Sequence, residues 1–100
     1  MLFKKDLPFG ECKEYIELQL RPLNPSTMNE TTKSITYSIK MKNRTVNISL
    51  ISIGGKMTVD VTDSYFLLRI PRETFNKIDK YKQFVISVAQ KLYDEFGITE

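Results

Sequence analysis

The sequence has no histidine and a single cysteine, Cys12. Without histidine the chain lacks the commonest general base, the Ser-His-Asp triad, the Cys-His pair and most zinc sites. One cysteine excludes an internal disulfide, a CxxC site and an iron–sulfur cluster held by this chain's own cysteines. Because no histidine is present to activate the thiol, we expect Cys12 to be buried and unreactive. We therefore predict a protein that is not an enzyme and that binds no metal or cofactor.

Long apolar runs are also missing. No stretch approaches the ~18 residues of a membrane span, and the opening MLFKKDLPFGE has no signal-peptide core. Together with the lone cysteine, these absences favour a cytoplasmic protein without a membrane or small-molecule partner. The net charge of +3 is too small to indicate nucleic-acid binding on its own. Gly54–Gly55–Lys56 lacks the spacing of a phosphate loop and instead predicts a hairpin turn.

The length of 100 residues predicts one domain, with residues 1–11 as an irregular lead-in. Several segments alternate apolar and polar residues with the period of a β-strand. The clearest is SITYSIKMKNRTVNISL, residues 34–50, which predicts a hairpin with its turn near Lys42–Asn43. Residues 22–32, rich in Pro, Asn, Ser and Thr, predict a long loop. The five predicted strands cover residues 12–21, 34–42, 44–53, 56–62 and 65–70.

A helix is predicted after Pro71, within residues 71–97. Pro71 suits a first helical turn, Asp79 suits the cap of a second, longer helix, and Gly97 suits the stop. The predicted fold class is therefore α+β: an antiparallel five-stranded β-meander covered on one face by a C-terminal α-helix. Small proteins of several unrelated kinds share this arrangement, so it selects no family.

The predicted helix has an unusually wide apolar surface. Over residues 80–96 the apolar arc spans roughly 200°, whereas an amphipathic surface helix needs a stripe of about 100°. One interpretation is deep packing across a curved sheet. The other is a protein interface formed by Ile86 and Tyr93, with Lys82 at its polar rim, which contacts a second copy or another protein.

A basic hairpin tip supports a second function. Lys40, Lys42 and Arg44 cluster near the predicted turn, and Arg69 and Arg72 add to them, so nucleic-acid binding is the alternative prediction. Against it, the outer sheet face carries mainly Ser, Thr and Asn, while single-strand binders need aromatic stacking platforms. The leading prediction is a small non-enzymatic protein-interaction module: a dimer, adaptor, assembly factor or inhibitor. The Lys-, Asn- and Ile-rich composition also suits a protein of a virus or mobile element.

Overall fold

A computed structural model describes residues 6–98 of the chain. Its five strands pair antiparallel with their sequence neighbours, in the order β1-β2-β3-β4-β5. Two helices precede and follow the sheet and pack on one of its faces. The predicted class is confirmed, because a five-stranded antiparallel meander is covered by a C-terminal helix. The elements are α1 (Phe9–Leu20), a 3₁₀ turn (Arg21–Leu23), β1 (Ser26–Met28), β2 (Ser34–Met41), β3 (Arg44–Ile53), β4 (Lys56–Asp63), β5 (Glu73–Phe75) and α2 (Ile78–Phe96).

Both predicted hairpin turns are confirmed. Lys42 adopts a positive φ of 56°, and Gly54 and Gly55 adopt 59° and 76°. Two-residue turns of this kind match the right-handed twist of the strands they join. The register they set pairs all of β2 and all of β4 with the longer β3 between them. Most apolar residues of the three strands consequently share the inner face of the sheet, whereas Ile51 and Ile53 of β3 lie on the outer face.

The segment predicted as the first strand, residues 12–21, is a helix over most of its length, and that prediction was wrong. Cys12, Ile16 and Leu20 are buried and recur every four residues, so they form one helical stripe. The same residues also satisfy part of an alternating pattern, which misled the prediction. Of the predicted arm, residues 9–11 begin α1, and residues 1–5 lie outside the described part. Helix α1 supplies a second cover for the sheet.

The segment YFLLRI, residues 65–70, was predicted as a central strand and is instead a loop. The fifth strand is the short β5, and α2 begins only at Ile78. Val59 pairs with Glu73. If the antiparallel register continued for two more residues, Pro71 would lie opposite Val61. Proline has no N–H to donate, so the ladder between β4 and β5, which ends at Val59 and Glu73, does not extend to that position. The predicted loop 22–32 contains the edge strand β1.

The two helices run in the same direction and are tied together by tyrosines. Tyr81 Oη donates to the carbonyl of Cys12 at 2.6 Å, and Tyr93 Oη donates to the carbonyl of Gln19. The predicted helix stop at Gly97 is confirmed by its φ of 67°. The opposite, outer face of the sheet is hydroxyl-rich and has no described helix over it. The helix pair therefore completes the core on one side only.

Candidate functional site: an apolar loop held at one end of the sheet

An unusual loop connects β4 to β5. Three consecutive large apolar side chains project from it into solvent: Tyr65 is 53% exposed, Phe66 76% and Leu67 68%. Burying such side chains would stabilise the fold by about 1.5–3 kcal/mol each, so their exposure does not serve folding. We call residues 64–69 the aromatic loop.

Asp63, the last residue of β4, determines the conformation of the aromatic loop. Its side chain is fully buried. One carboxylate oxygen accepts the Tyr65 amide at 3.1 Å, and the other accepts the Leu68 amide at 2.8 Å. The Asp63 carbonyl also accepts the Phe66 amide at 3.0 Å. These three bonds fix the backbone of the loop while its apolar side chains point outward.

Phe66 carries backbone strain. Its φ is +56°, in the left-handed region that costs a residue with a Cβ roughly 1–2 kcal/mol. Bulky residues are outliers there, and such outliers concentrate at functional sites. The loop therefore holds an exposed phenyl ring in a conformation that glycine would adopt at lower cost.

Arg44, the first residue of β3, holds Asp63 in place. Its Nε lies 3.1 Å from both carboxylate oxygens, and a terminal guanidinium nitrogen lies 2.5 Å from one of them. The other terminal nitrogen donates to Glu95 of α2 at 2.6 Å, and the guanidinium lies 5.4 Å from the centre of the Phe96 ring. We call Arg44, Asp63 and Glu95 the clamp. It joins two strands and the end of α2 beneath the aromatic loop.

The clamp changes the ionisation of its members. The guanidinium of Arg44 holds the pKa of Asp63 well below its usual range, burial opposes this, and the amides of Tyr65 and Leu68 lower it further. The hydrogen bonds to Asp63 and Glu95 raise the pKa of Arg44. Both groups therefore remain charged at neutral pH, and the loop stays organised.

Two shallow clefts of about 380 Å³ each flank the aromatic loop. One lies between β4 and the loop, where Val61, Phe66 and Leu68 contribute apolar surface. The other lies between the β2–β3 turn and the end of α2, where Met41 and Phe96 do so. Within residues 6–98, no three His, Cys, Asp or Glu side chains converge as a metal site. This end of the molecule can accommodate apolar groups.

The structure does not bring the five basic residues predicted to bind nucleic acid into one exposed cluster. Arg44 is only 12% exposed and is committed to the clamp, so it is not the exposed phosphate contact that was predicted. Arg72 lies 3.6 Å from Asp60. Lys40, Lys42 and Arg69 are exposed. These last three surround the end of the sheet that carries the aromatic loop.

The predicted interface residues do not form one exposed flank. Tyr93 is 8% exposed because α1 covers it, whereas Ile86 is 43% exposed. The prediction placed both side chains at the surface because it assigned the segment of α1 to a strand. Ile86 with Lys82 stays a predicted interface, without Tyr93.

A smaller apolar patch replaces that flank on the helix layer. The Lys82 ammonium lies 5.1 Å from the centre of the Tyr15 ring, which aligns these two positions across the helices. Leu18 follows Tyr15 by one turn and Ile86 follows Lys82 by one turn, so the two apolar side chains lie near each other. Leu18 is 52% exposed.

Cys12 is buried, as predicted. Burial raises the pKa of its thiol to about 11, so almost no thiolate is present at neutral pH. The thiolate is the nucleophilic form. Cys12 therefore belongs to the core between α1 and α2.

Comparison with known proteins adds no functional information. No protein-family model matches the sequence, and no curated protein or solved structure is significantly similar to it. In the part of the chain that the structure describes, neither helix is long and apolar enough to cross a membrane. The aromatic loop must therefore be interpreted from its own geometry.

Proposed function

We propose that this chain is a small non-enzymatic interaction module that docks onto its partner through the aromatic loop. The observation that carries the proposal is the run of Tyr65, Phe66 and Leu67, which are all more than half exposed in an ordered loop. Contiguous exposed apolar surface of this kind marks interaction sites in soluble proteins. The sequence predicted an interaction module, and the loop supplies a concrete surface for it.

The aromatic loop contains features that do not favour the stability of the fold, which supports the same function. A buried ion pair contributes little net stability compared with apolar packing, and it is often retained for another purpose. Here the pair of Arg44 and Asp63 orients the loop amides. Strain at Phe66 is a second such feature. A loop needed only to connect β4 with β5 requires neither feature.

The chemistry around the loop favours docking over catalysis. General acid–base work needs a group whose pKa lies near the working pH. The pKa of Asp63 lies well below that range and the pKa of Arg44 lies above it. The carboxylate and the guanidinium also satisfy one another. Both groups therefore act as structural supports of the loop.

Photo-crosslinking tests the proposal without requiring a known partner. We would replace Leu67 with p-benzoylphenylalanine and irradiate cells that express the protein. The matched control carries the same probe at Gln90, an exposed position of α2. We expect discrete adducts, to protein or to lipid, from position 67 and not from position 90.

A second variant makes the result specific to the loop. Phe66→Ser in the Leu67 probe background removes the largest exposed side chain and leaves the clamp intact. We expect it to reduce the adduct yield at position 67 at least about tenfold, since each apolar anchor is worth ~1.5–3 kcal/mol. Equal yields at positions 67 and 90, or no adduct at position 67, would contradict docking through the aromatic loop.

A further inference from the structure

We infer that the aromatic loop inserts into the surface of an anionic lipid bilayer. Phe66 and Leu67 enter the boundary between headgroups and acyl chains, and Lys40, Lys42 and Arg69 lie at the headgroup phosphates. The inference rests on the proposed function, for which it names the partner. It also departs from the sequence-based prediction, which expected no membrane contact.

The shape of the loop favours a bilayer over a folded protein. Its three consecutive apolar side chains project from an exposed loop, and a bilayer accepts such a projection without a matching pocket. The exposed parts of the three side chains amount to on the order of 400 Å². A stable protein interface needs about 800 Å² from each partner. The loop is therefore too small for such an interface by itself, but it has the size of an interfacial anchor.

The residue types also suit the depth of insertion. Phenylalanine and leucine are apolar throughout, whereas Tyr65 has an apolar ring and a polar tip. Tyrosine is enriched at the level of the lipid headgroups, where one end of its side chain is dry and the other wet. Tyr65 beside Phe66 therefore matches the polarity gradient of a membrane surface.

The charge around the loop is complementary to anionic lipid. Lys42 lines the same cleft as Tyr65, and Arg69 belongs to the loop itself. The nearby acids are Asp63, which is buried and paired with Arg44, and Asp94 and Glu95 at the end of α2, of which Glu95 is also paired with Arg44. The exposed basic residues give this end a positive surface, which attracts phosphatidylserine and repels a second copy of the same end.

The clamp lowers the entropic cost of insertion. A flexible loop loses backbone freedom when it binds, at roughly 1–2 kcal/mol for each residue that becomes ordered. The three hydrogen bonds to Asp63 order the aromatic loop in advance. The free energy of burying Phe66 and Leu67 is then available for membrane binding.

A tryptophan probe tests the inference directly, because the chain contains no tryptophan. Phe66→Trp places the probe at the tip of the loop. Thr32→Trp, at an exposed position beyond the opposite end of β2, is the matched control. With vesicles of phosphatidylcholine that contain about 30% phosphatidylserine as the anionic lipid, we expect a blue-shifted emission and quenching by brominated acyl chains for Phe66→Trp only.

Two sets of variants separate the apolar and the electrostatic contributions to membrane binding. Sedimentation with the same vesicles measures the partition coefficient. Phe66→Ser with Leu67→Ser should reduce it more than about tenfold. Lys40→Ala and Lys42→Ala should each reduce it about fivefold on anionic vesicles and should leave binding to pure phosphatidylcholine unchanged. A thermal transition close to that of the wild type confirms that each variant is folded.

The outcomes also separate this inference from the proposed function. Vesicle binding without a blue shift at position 66 would mean adsorption by charge alone and would overturn insertion. Absence of vesicle binding would overturn the membrane as partner. In that case, a protein adduct at position 67 in the crosslinking experiment would still support docking through the loop. Failure of both experiments would overturn the proposed function as well.

Discussion

At the scale of single residues, Asp63 has the widest influence on the molecule. It ends β4, receives the guanidinium of Arg44 and accepts the amides that shape the aromatic loop. Its acceptor capacity is satisfied by these partners, so its buried charge is compensated. Removal of the charge would leave Arg44 with Glu95 as its one acidic partner among the described residues.

Asp63→Asn should therefore destabilise the protein by ~3 kcal/mol, because breaking a buried ion pair from one side leaves the other charge uncompensated. Urea unfolding measures the loss. Glu95→Gln is the control, since Glu95 is more exposed than Asp63 and an exposed pair is worth ~0–1 kcal/mol. Equal losses in both variants would contradict the central position of Asp63 in the clamp.

The stability difference between the wild type and Asp63→Asn should depend on pH in a defined direction. The pKa of Asp63 is lower in the folded protein than in the unfolded chain, so the ionised form stabilises the fold. The advantage of the wild type over Asp63→Asn should be constant between about pH 5 and pH 8 and should shrink below about pH 4. A difference that grows on acidification would contradict this assignment.

At Phe66 we expect a substitution to stabilise the protein, in contrast to Asp63→Asn. Phe66→Gly removes a side chain that is strained and 76% exposed, so unfolding should require up to ~1 kcal/mol more free energy, after the entropy cost of glycine is subtracted. Leu67→Gly is the matched control, since Leu67 has no positive φ, and it should be destabilising. A clear loss of stability in Phe66→Gly would mean that the ring packs within the fold.

At the scale of elements, the sequence predicted correctly the structures that depend on neighbouring residues. It did not predict those that depend on contacts between distant parts of the chain. The β2–β3 and β3–β4 hairpins follow from alternation and from turn residues within a few positions of each other. In residues 12–21, apolar residues recur both at every second position, as in a strand, and at every fourth position, as in a helix. Packing against α2 selects the helix. The aromatic loop escaped prediction because its shape depends on Arg44, which lies nineteen residues before Asp63.

The buried face of α2 provides a matched pair of variants. Leu92 is fully buried, whereas Ile86 is 43% exposed on the same helix. Leu92→Ala should reduce the free energy of unfolding by ~2–4 kcal/mol, and Val88→Ala, also in the core, should do so by up to ~2–3 kcal/mol. Ile86→Ala should cost less than ~1 kcal/mol. Similar losses at Ile86 and Leu92 would show that the helix faces are assigned wrongly.

At the scale of the whole molecule, the burial of Tyr93 accounts for part of the wide apolar arc. Among residues 6–98, the large apolar side chains that remain exposed on the two helices are Leu18 and Ile86. Two side chains fall far short of the ~800 Å² that a stable interface takes from each partner. In lipid-free buffer we therefore expect the mass of a monomer by light scattering. A dimer that Ile86→Ser dissociates would instead support the predicted interface of Ile86 and Lys82.

The contacts between α1 and α2 have a consequence for biosynthesis. Tyr81 reaches back across 69 residues to Cys12, and Tyr93 reaches back across 74 to Gln19. On the ribosome, the hairpins of β2, β3 and β4 emerge well before α2, with their apolar face still in contact with water. Exposed strands with unpaired edges are prone to aggregate at this stage. The core can therefore be completed only after α2 has also emerged.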